Sequence, residues 1–399
     1  MLASAPRASA GLLQSRLAPM QNGGDSMKHL LAGLLLVVGA LAAYLLLWPV
    51  PIEPVAWQAP KPGRPSDQPV PNDLLAAARP VSVAPQVGPE HVEFGPDGKL
   101  YTGVLSGAVL RMDPDGGNVE TVVDTGGRPL GLAFDGDGRL LVADAYRGLL
   151  RVEPDGRVVV LADRAAGTPI MFADAVTVAA NGNVYFTDAS RRFAARDHGT
   201  FDASLYDIME HSCTGRVLEF RPGDGGVRTV AGGLCFPNGV ALSGDQRSLF
   251  VAETGEYRLW RFDVEASDLD ARALAGGGDP RARIIASNLP GFPDNLTRDA
   301  DGRLWTGYTK PRSEFIDASA DRPWLRSLSL RLPKAMWPVP PAYGHVVAFD
   351  EDGRVVADLQ DPRGRIPETS GATVHQGRLY VHSLHGSEFG VMEAPAAGR

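Results

Sequence analysis

Residues 91–103 read HVEFGPDGKLYTG, two short apolar runs joined by a Pro-Asp-Gly turn, and the phrase returns five more times along the chain. The later copies are GLAFDGDGRLLVAD (131–144), VTVAANGNVYFTD (176–188), GVALSGDQRSLFVAET (239–254), LTRDADGRLWTGY (296–308) and ATVHQGRLYVHS (372–383). In each, apolar residues alternate around a Gly-containing turn, the pattern of a β-hairpin. Most copies are followed by a second hairpin, as in AVLRMDPDGGNVETVV (108–123), GLLRVEPDGRVVVLA (148–162), GRVLEFRPGDGGVRTVA (215–231) and GHVVAFDEDGRVVADL (344–359). Two hairpins make a four-stranded unit, and a period above about 40 residues with four strands per unit marks a propeller. The expected fold is therefore all-β, a six-bladed β-propeller over residues 86–395. A β-sandwich would supply the strands but not six repeats of one unit.

Upstream of the repeat the composition changes. Leu30 to Val50 holds 21 residues without a charge, enough to cross a bilayer as a helix. Tyr44 and Trp48 near its end suit a membrane interface. A cleaved signal peptide is the alternative, because Ala40-Leu41-Ala42 resembles a cleavage site, but the apolar run continues past it. The expected organisation is an N-terminal extension (1–29), a transmembrane signal anchor (30–50), a Pro-rich linker (51–85) and the propeller. Flanking Lys and Arg residues are too evenly divided to orient the span.

The 399 residues are 44% hydrophobic and 22% charged, values that build a large globular core. A net charge of −8 without a basic run argues against nucleic acid as a partner. Two cysteines, Cys213 and Cys235, exclude a thiolate zinc site or a disulfide-dense scaffold. They flank a hairpin and would either bond to each other in an oxidising compartment or remain buried thiols.

Two inserts break the period, at Ser190–Ser212 in blade three and Thr309–Pro341 in blade five. The second holds a candidate helix capped by Asp321, with Trp324, Leu325, Leu328 and Leu332 on one face and Arg322, Arg326 and Lys334 elsewhere. It reads as a lid packed on the propeller or as an amphipathic helix lying on the membrane.

Residues just before the innermost strands of a propeller gather at one mouth of its channel. Blade one places Glu90 there, blade three Asp174, blade four Asn238, and blade five Asp294 and Asn295. Three of these five side chains are carboxylates, with no Lys or Arg in equivalent positions. Such charges repel strongly in a dry channel unless protonated or neutralised. Oxygen-only ligands select a hard cation, and Ca²⁺ accepts six to eight oxygens in loose geometry. Leu130 and Ser370 complete the ring, leaving an apolar wall and a hydroxyl.

GRPLGLAF, VADAYRGLL, TGRVLEF, FPNGVALS, VAETGEYRLWRF, NLPGFPDN and RPWLRSL resemble the strictosidine synthase-like family over roughly residues 80–392. A wider similarity extends to the paraoxonases and the SMP-30/gluconolactonase group. The resemblance implies a six-bladed propeller, a membrane anchor with the propeller on the extracytoplasmic side, and arylesterase or lactonase activity in the metal-binding branches. It implies metal ligation by Glu90, Asp174, Asn238, Asp294 and Asn295, with Asp174 replacing the family's Asn. The catalytic Glu of the strictosidine synthases aligns with Ser370, with Glu368 two residues away, which counts against amine–aldehyde condensation.

There is no P-loop, GxSxG, HExxH or CxxC motif. The expected function is Ca²⁺-dependent hydrolysis of a lactone or aryl ester by a single-pass membrane protein. Asp174 or Glu90 would activate water, with His382 and His385 as further proton acceptors. A C–N bond-forming synthase and a non-catalytic membrane-tethered binding module are the alternatives.

Overall fold

A computed structural model describes residues 23–61 and 70–396. Two compact units are found, Met1–Pro49 and Val50–Arg399. In the first, helix α1 (Gly23–Leu47) carries the apolar run. Within it, Met27–Leu47 is 21 residues long and apolar enough to span a membrane. The helix begins before the 30–50 span read from hydropathy and ends before it too, the end because Pro49 and Pro51 follow and cannot continue it.

The second unit is a six-bladed propeller. Blade one comprises Val92–Phe94, Leu100–Gly103, Ala108–Met112 and Glu120–Asp124; the next four blades repeat the up-and-down order, and Leu269–Asp270, from the connection before the last strand of blade four, adds parallel to the edge of blade three. Their inner strands are Pro129–Phe134, Ala173–Val178, Pro237–Leu242 and Gly291–Arg298. In blade six the inner strand is Thr369–His375, and the outermost is not C-terminal at all. Arg79–Ser82 pairs antiparallel with Glu388–Glu393, Arg79 opposite Val391, so the two ends of the unit lock the ring. The 51–85 linker assignment is corrected here: its last residues are a strand, concealed by a length of four and an internal proline. Earlier in that stretch, Ile52 and Leu75 are buried.

Five of the six inner strands carry a register shift at the mouth, at Pro129/Gly131, Ala173/Val176, Pro237/Val240, Pro293/Leu296 and Thr369/Ala372. A bulge re-aims side chains that a regular strand would alternate. The bulges also press neighbouring strands together. A Cβ on Gly239 would stand 2.1 Å from the nitrogen of Leu296, so only glycine follows Asn238.

Both inserts extend from the second strands of blades three and five. The first contains α2 (Thr200–Glu210), ended by His211 in the left-handed conformation, φ 60°. The second contains α3 (Pro323–Leu330), with proline in its first turn as expected. Arg322 and Lys334 are exposed and Leu325, Leu328 and Leu332 half-buried, but Arg326 and Trp324 exchange the places that hydropathy gives them. Arg326 is fully buried and donates to the carbonyls of Met209 at 2.9 Å, Val55 at 2.5 Å and Ala320 at 3.4 Å, whereas Trp324 is 60% exposed. Those bonds also fix the strap that enters this unit, since the amides of Val55 and Trp57 donate to the carbonyls of Glu210 and Ala320.

Candidate metal centre and active site

The bulged strands of blades three to five and the loop before the regular inner strand of blade one bring Asp174, Asn238, Asp294, Asn295 and Glu90 to one mouth, all at most 6% exposed. Four of them present an oxygen with no hydrogen-bond partner: Glu90 Oε2, Asp174 Oδ1, Asn238 Oδ1 and Asp294 Oδ1. Four orphaned, buried acceptors from four blades are costly unless a cation or donor meets them. Their remaining atoms are tied to one another. Asn238 Nδ2 donates to Asp174 Oδ2 at 3.3 Å, and Asn295 Nδ2 donates to Glu90 Oε1 at 3.1 Å and to the Glu90 carbonyl at 2.9 Å. Asn295 therefore orients Glu90. Ser370 Oγ donates to the same carbonyl at 2.6 Å, and Leu130 lines the cavity wall.

Burial pushes Glu90 up to about 7, against the opposing pull of Arg128. Asp174 and Asp294 are raised well above the carboxylate range, first by burial and then by the charge of Glu90. An oxygen-only set whose carboxyls resist ionisation until a positive charge arrives fits a hard divalent ion of the Ca²⁺ class.

One residue at this mouth was not anticipated. Arg128 is 1% exposed, donates to the Gly88 carbonyl at 3.3 Å, and lies close enough to Glu90 and Asp174 to act on both charges. No Lys or Arg stands in an equivalent position, since blade two has Leu130 there, but Arg128 reaches the carboxylates from two residues earlier. Arg128 is placed by Asp144, whose Oδ1 accepts from the amides of Arg128, Tyr146 and Arg147. Asp188 holds Met171 and Phe172 in the same way, and Glu253 holds Cys235. An acidic residue at the end of the second strand thus anchors the approach to the mouth in blades two, three and four. The repeated VAD, FTD and VAE endings were its signal.

The histidines separate. His382 is fully buried in the channel; its Nε2 lies 3.0 Å from Thr373 Oγ1, whose own proton goes to the Val92 carbonyl at 2.7 Å. Thr373 therefore accepts from His382 Nε2–H, which leaves Nδ1 as an unpartnered acceptor. His91 accepts the Leu132 amide at 2.9 Å, and its ring centroid is 5.3 Å from that of His382. His385 stands at the rim instead, paired with Glu368. It lines both the mouth cavity of about 50 Å³ and an adjoining apolar cavity of about 100 Å³ that reaches Phe292, Ile316 and Val339. Although burial opposes it, hydrogen bonds from His385 and Lys310 hold Glu368 down at about 2. That carboxylate stays ionised and engaged, a poor proton shuttle for condensation. Cys213 and Cys235 form a disulfide.

The SMP-30/Gluconolactonase/LRE-like region matches residues 94–318, and the strictosidine synthase-like N-terminal region matches residues 70–112. Strictosidine synthase-like protein 13 of Arabidopsis thaliana is 30% identical over 326 residues, 73% of this chain and 77% of the relative. Human adipocyte plasma membrane-associated protein is 31% identical over 340 residues, 79% and 77%. The chain belongs to the strictosidine synthase-like family. Among solved structures, a gluconolactonase of Xanthomonas campestris is similar to this family member at a TM-score of 0.57 and 23% identity, covering 80% of this chain and 92% of that one. The calcium-binding protein regucalcin of Agrobacterium tumefaciens follows at 0.53 and 16%, covering 81% and 95%. At those identities the two structures confirm the propeller.

Proposed function

We propose that this strictosidine synthase-like protein is a Ca²⁺-dependent hydrolase of lactones or aryl esters. The observation that carries the reading is the set of four unpartnered oxygens converging from four blades beside an apolar cavity. Glu90, Asp174, Asn238 and Asp294 would hold the ion. Bound there, it supplies Lewis-acid polarisation of a carbonyl and stabilises the oxyanion. The chain's own residues do the rest. Asn295 and Ser370 fix Glu90, and the apolar cavity takes the acyl or aryl portion and excludes water. Asp174 and Glu90 are the carboxylates able to accept the proton of the attacking water, and His385 at the rim can carry it outward. The disulfide fits an extracytoplasmic propeller behind a single-span anchor.

The test is hydrolysis of aryl esters and lactones before and after chelation. Activity that vanishes with chelator, returns with Ca²⁺ and is absent in Asp294→Ala supports the reading; chelator-insensitive turnover refutes it. Asp174→Asn then separates the roles. It keeps an oxygen for the ion, so retained binding with lost turnover identifies Asp174 as the base, and retained turnover points to Glu90.

A further inference from the structure

Away from the channel, the end of α2 meets blade four at a second cluster. His211 Nε2, the sulfurs of Cys213 and Cys235, and a carboxylate oxygen of Glu256 all lie within 4.8 Å of one another. We propose that these four residues are the ligands of a zinc-type cation site that opens when the Cys213–Cys235 disulfide is reduced. Ion and disulfide are alternative ways of joining the same two sulfurs.

Two of the separations already suit a tetrahedral shell, and the bonded sulfurs part on reduction to complete it. With sulfur at about 2.3 Å from zinc and nitrogen or oxygen at about 2.1 Å, tetrahedral angles separate sulfur from either by about 3.6 Å. Cys235 Sγ lies 3.6 Å from His211 Nε2 and 3.8 Å from Glu256 Oε1. His211 Nε2 and Glu256 Oε1 are 2.9 Å apart, a hydrogen bond that must open by about half an ångström to admit an ion at those bond lengths. Two sulfurs, one imidazole and one carboxylate form a donor set that selects zinc over the hard cation of the channel mouth.

The surroundings support it. Glu256 is oriented by Arg258, whose Nη1 lies 3.6 Å from Glu256 Oε2, leaving Oε1 to face His211. Two thiolates and a carboxylate beside that guanidinium leave a charge of −2 for a divalent ion to balance. His211 and both cysteines are at most 5% exposed, and the Trp57 ring stacks on the imidazole at 3.9 Å, so water reaches the cluster only on the side of Glu256, whose side chain is 20% exposed. His211 and Cys213 are left-handed at φ 60° and 54°, and Phe236 and Tyr257, next to Cys235 and Glu256, at 54° and 52°. Non-glycine residues in this conformation cluster where side chains are held for function.

The chemistry balances with an external dithiol. Exchange breaks the S–S bond, oxidises the dithiol to its own disulfide and leaves two thiols; ion binding then releases their two protons. The exclusion of a thiolate zinc site on cysteine count is revised accordingly, since His211 and Glu256 supply what two cysteines lack.

Full-length protein in detergent, reduced anaerobically with a phosphine, is titrated with Co²⁺ while Ca²⁺ saturates the mouth. One equivalent giving thiolate-to-cobalt charge transfer and intense tetrahedral ligand-field bands, displaced by Zn²⁺ and absent in the oxidised protein, is the expected result. Glu256→Gln and His211→Gln should each weaken binding at least tenfold. Absence of charge transfer in protein whose two thiols have been titrated as free overturns the proposal. So does undiminished binding in the two variants, which would mean adventitious thiolate capture. The comparison of oxidised with reduced wild type needs no substitution.

Discussion

Acidity and the mouth should oppose each other with a sign that depends on the ion. Glu90 is held at about 7 when folded, against about 4.5 when exposed. A carboxyl raised by folding binds its proton more tightly in the native state, so ion-free stability falls as pH rises from about 4.5 through 7. Glu90 alone makes that loss about 3 kcal/mol at full ionisation, and Asp174 and Asp294 add to it in the same direction. The ion reverses the slope, because it binds the ionised form and must displace the proton. With one displaced proton at about 7, affinity rises about tenfold between about pH 6 and pH 8, equivalent to about 1.4 kcal/mol. The assay is a set of thermal-unfolding curves across this range, with chelator and with excess Ca²⁺, alongside calorimetric Ca²⁺ titrations in buffers of different ionisation enthalpy. The two families of curves should diverge as pH rises, with proton release on binding. Ca²⁺ affinity independent of pH, without proton release, would refute the assignment of these buried carboxyls as its ligands.

Arg128→Met removes the guanidinium from beside three carboxylates; it should cost about 3–5 kcal/mol in denaturant unfolding and move the ion-free pH transition upward. Arg326→Ala removes the side-chain donor to the carbonyls of Val55 and Met209, while Ala320 keeps the Trp57 amide; the expected loss is about 2–4 kcal/mol, with proteolytic nicking first within the strap at residues 50–60. Glu253→Gln weakens bonds to the Cys235 amide, Trp260 Nε1 and Arg258 together; destabilisation of about 3 kcal/mol and weaker Ca²⁺ binding through displaced Asn238 are expected in the same titrations.

The propeller and its mouth were legible because both are written locally. Each hairpin carries its own turn, and each mouth residue sits at a fixed distance ahead of an apolar strand. Elements settled by distant partners were not. Arg79–Ser82 is a strand only because Glu388–Glu393 waits at the other end of the unit. Arg326 points inward because carbonyls 117 and 271 residues away accept from it, which no helical wheel contains. Arg128 reads as a loop cation before Pro129, until Asp144 turns its backbone toward Glu90. Asn295 reads as a ligand by position, and only the structure adds that its Nδ2 also holds Glu90.

Arg128 also explains how the mouth tolerates an extra acid. Three carboxylates facing one divalent ion would leave an unbalanced negative charge in a dry channel, an arrangement that costs several kcal/mol. The guanidinium reduces the set to −2, the charge one divalent cation neutralises. Asp174 and the blade-two arginine are therefore opposite buried charges at one mouth, each partly offsetting the other. On the proposed function, the same balance would let Asp174 do more than ligate. In a neutral ensemble, a carboxylate with one oxygen fixed by Asn238 and the other unpartnered can take a proton from water without forcing the ion out. An Asn at that position can only coordinate. On the proposed function, Asp174 with Arg128 close by would both hold the ion and do acid–base work.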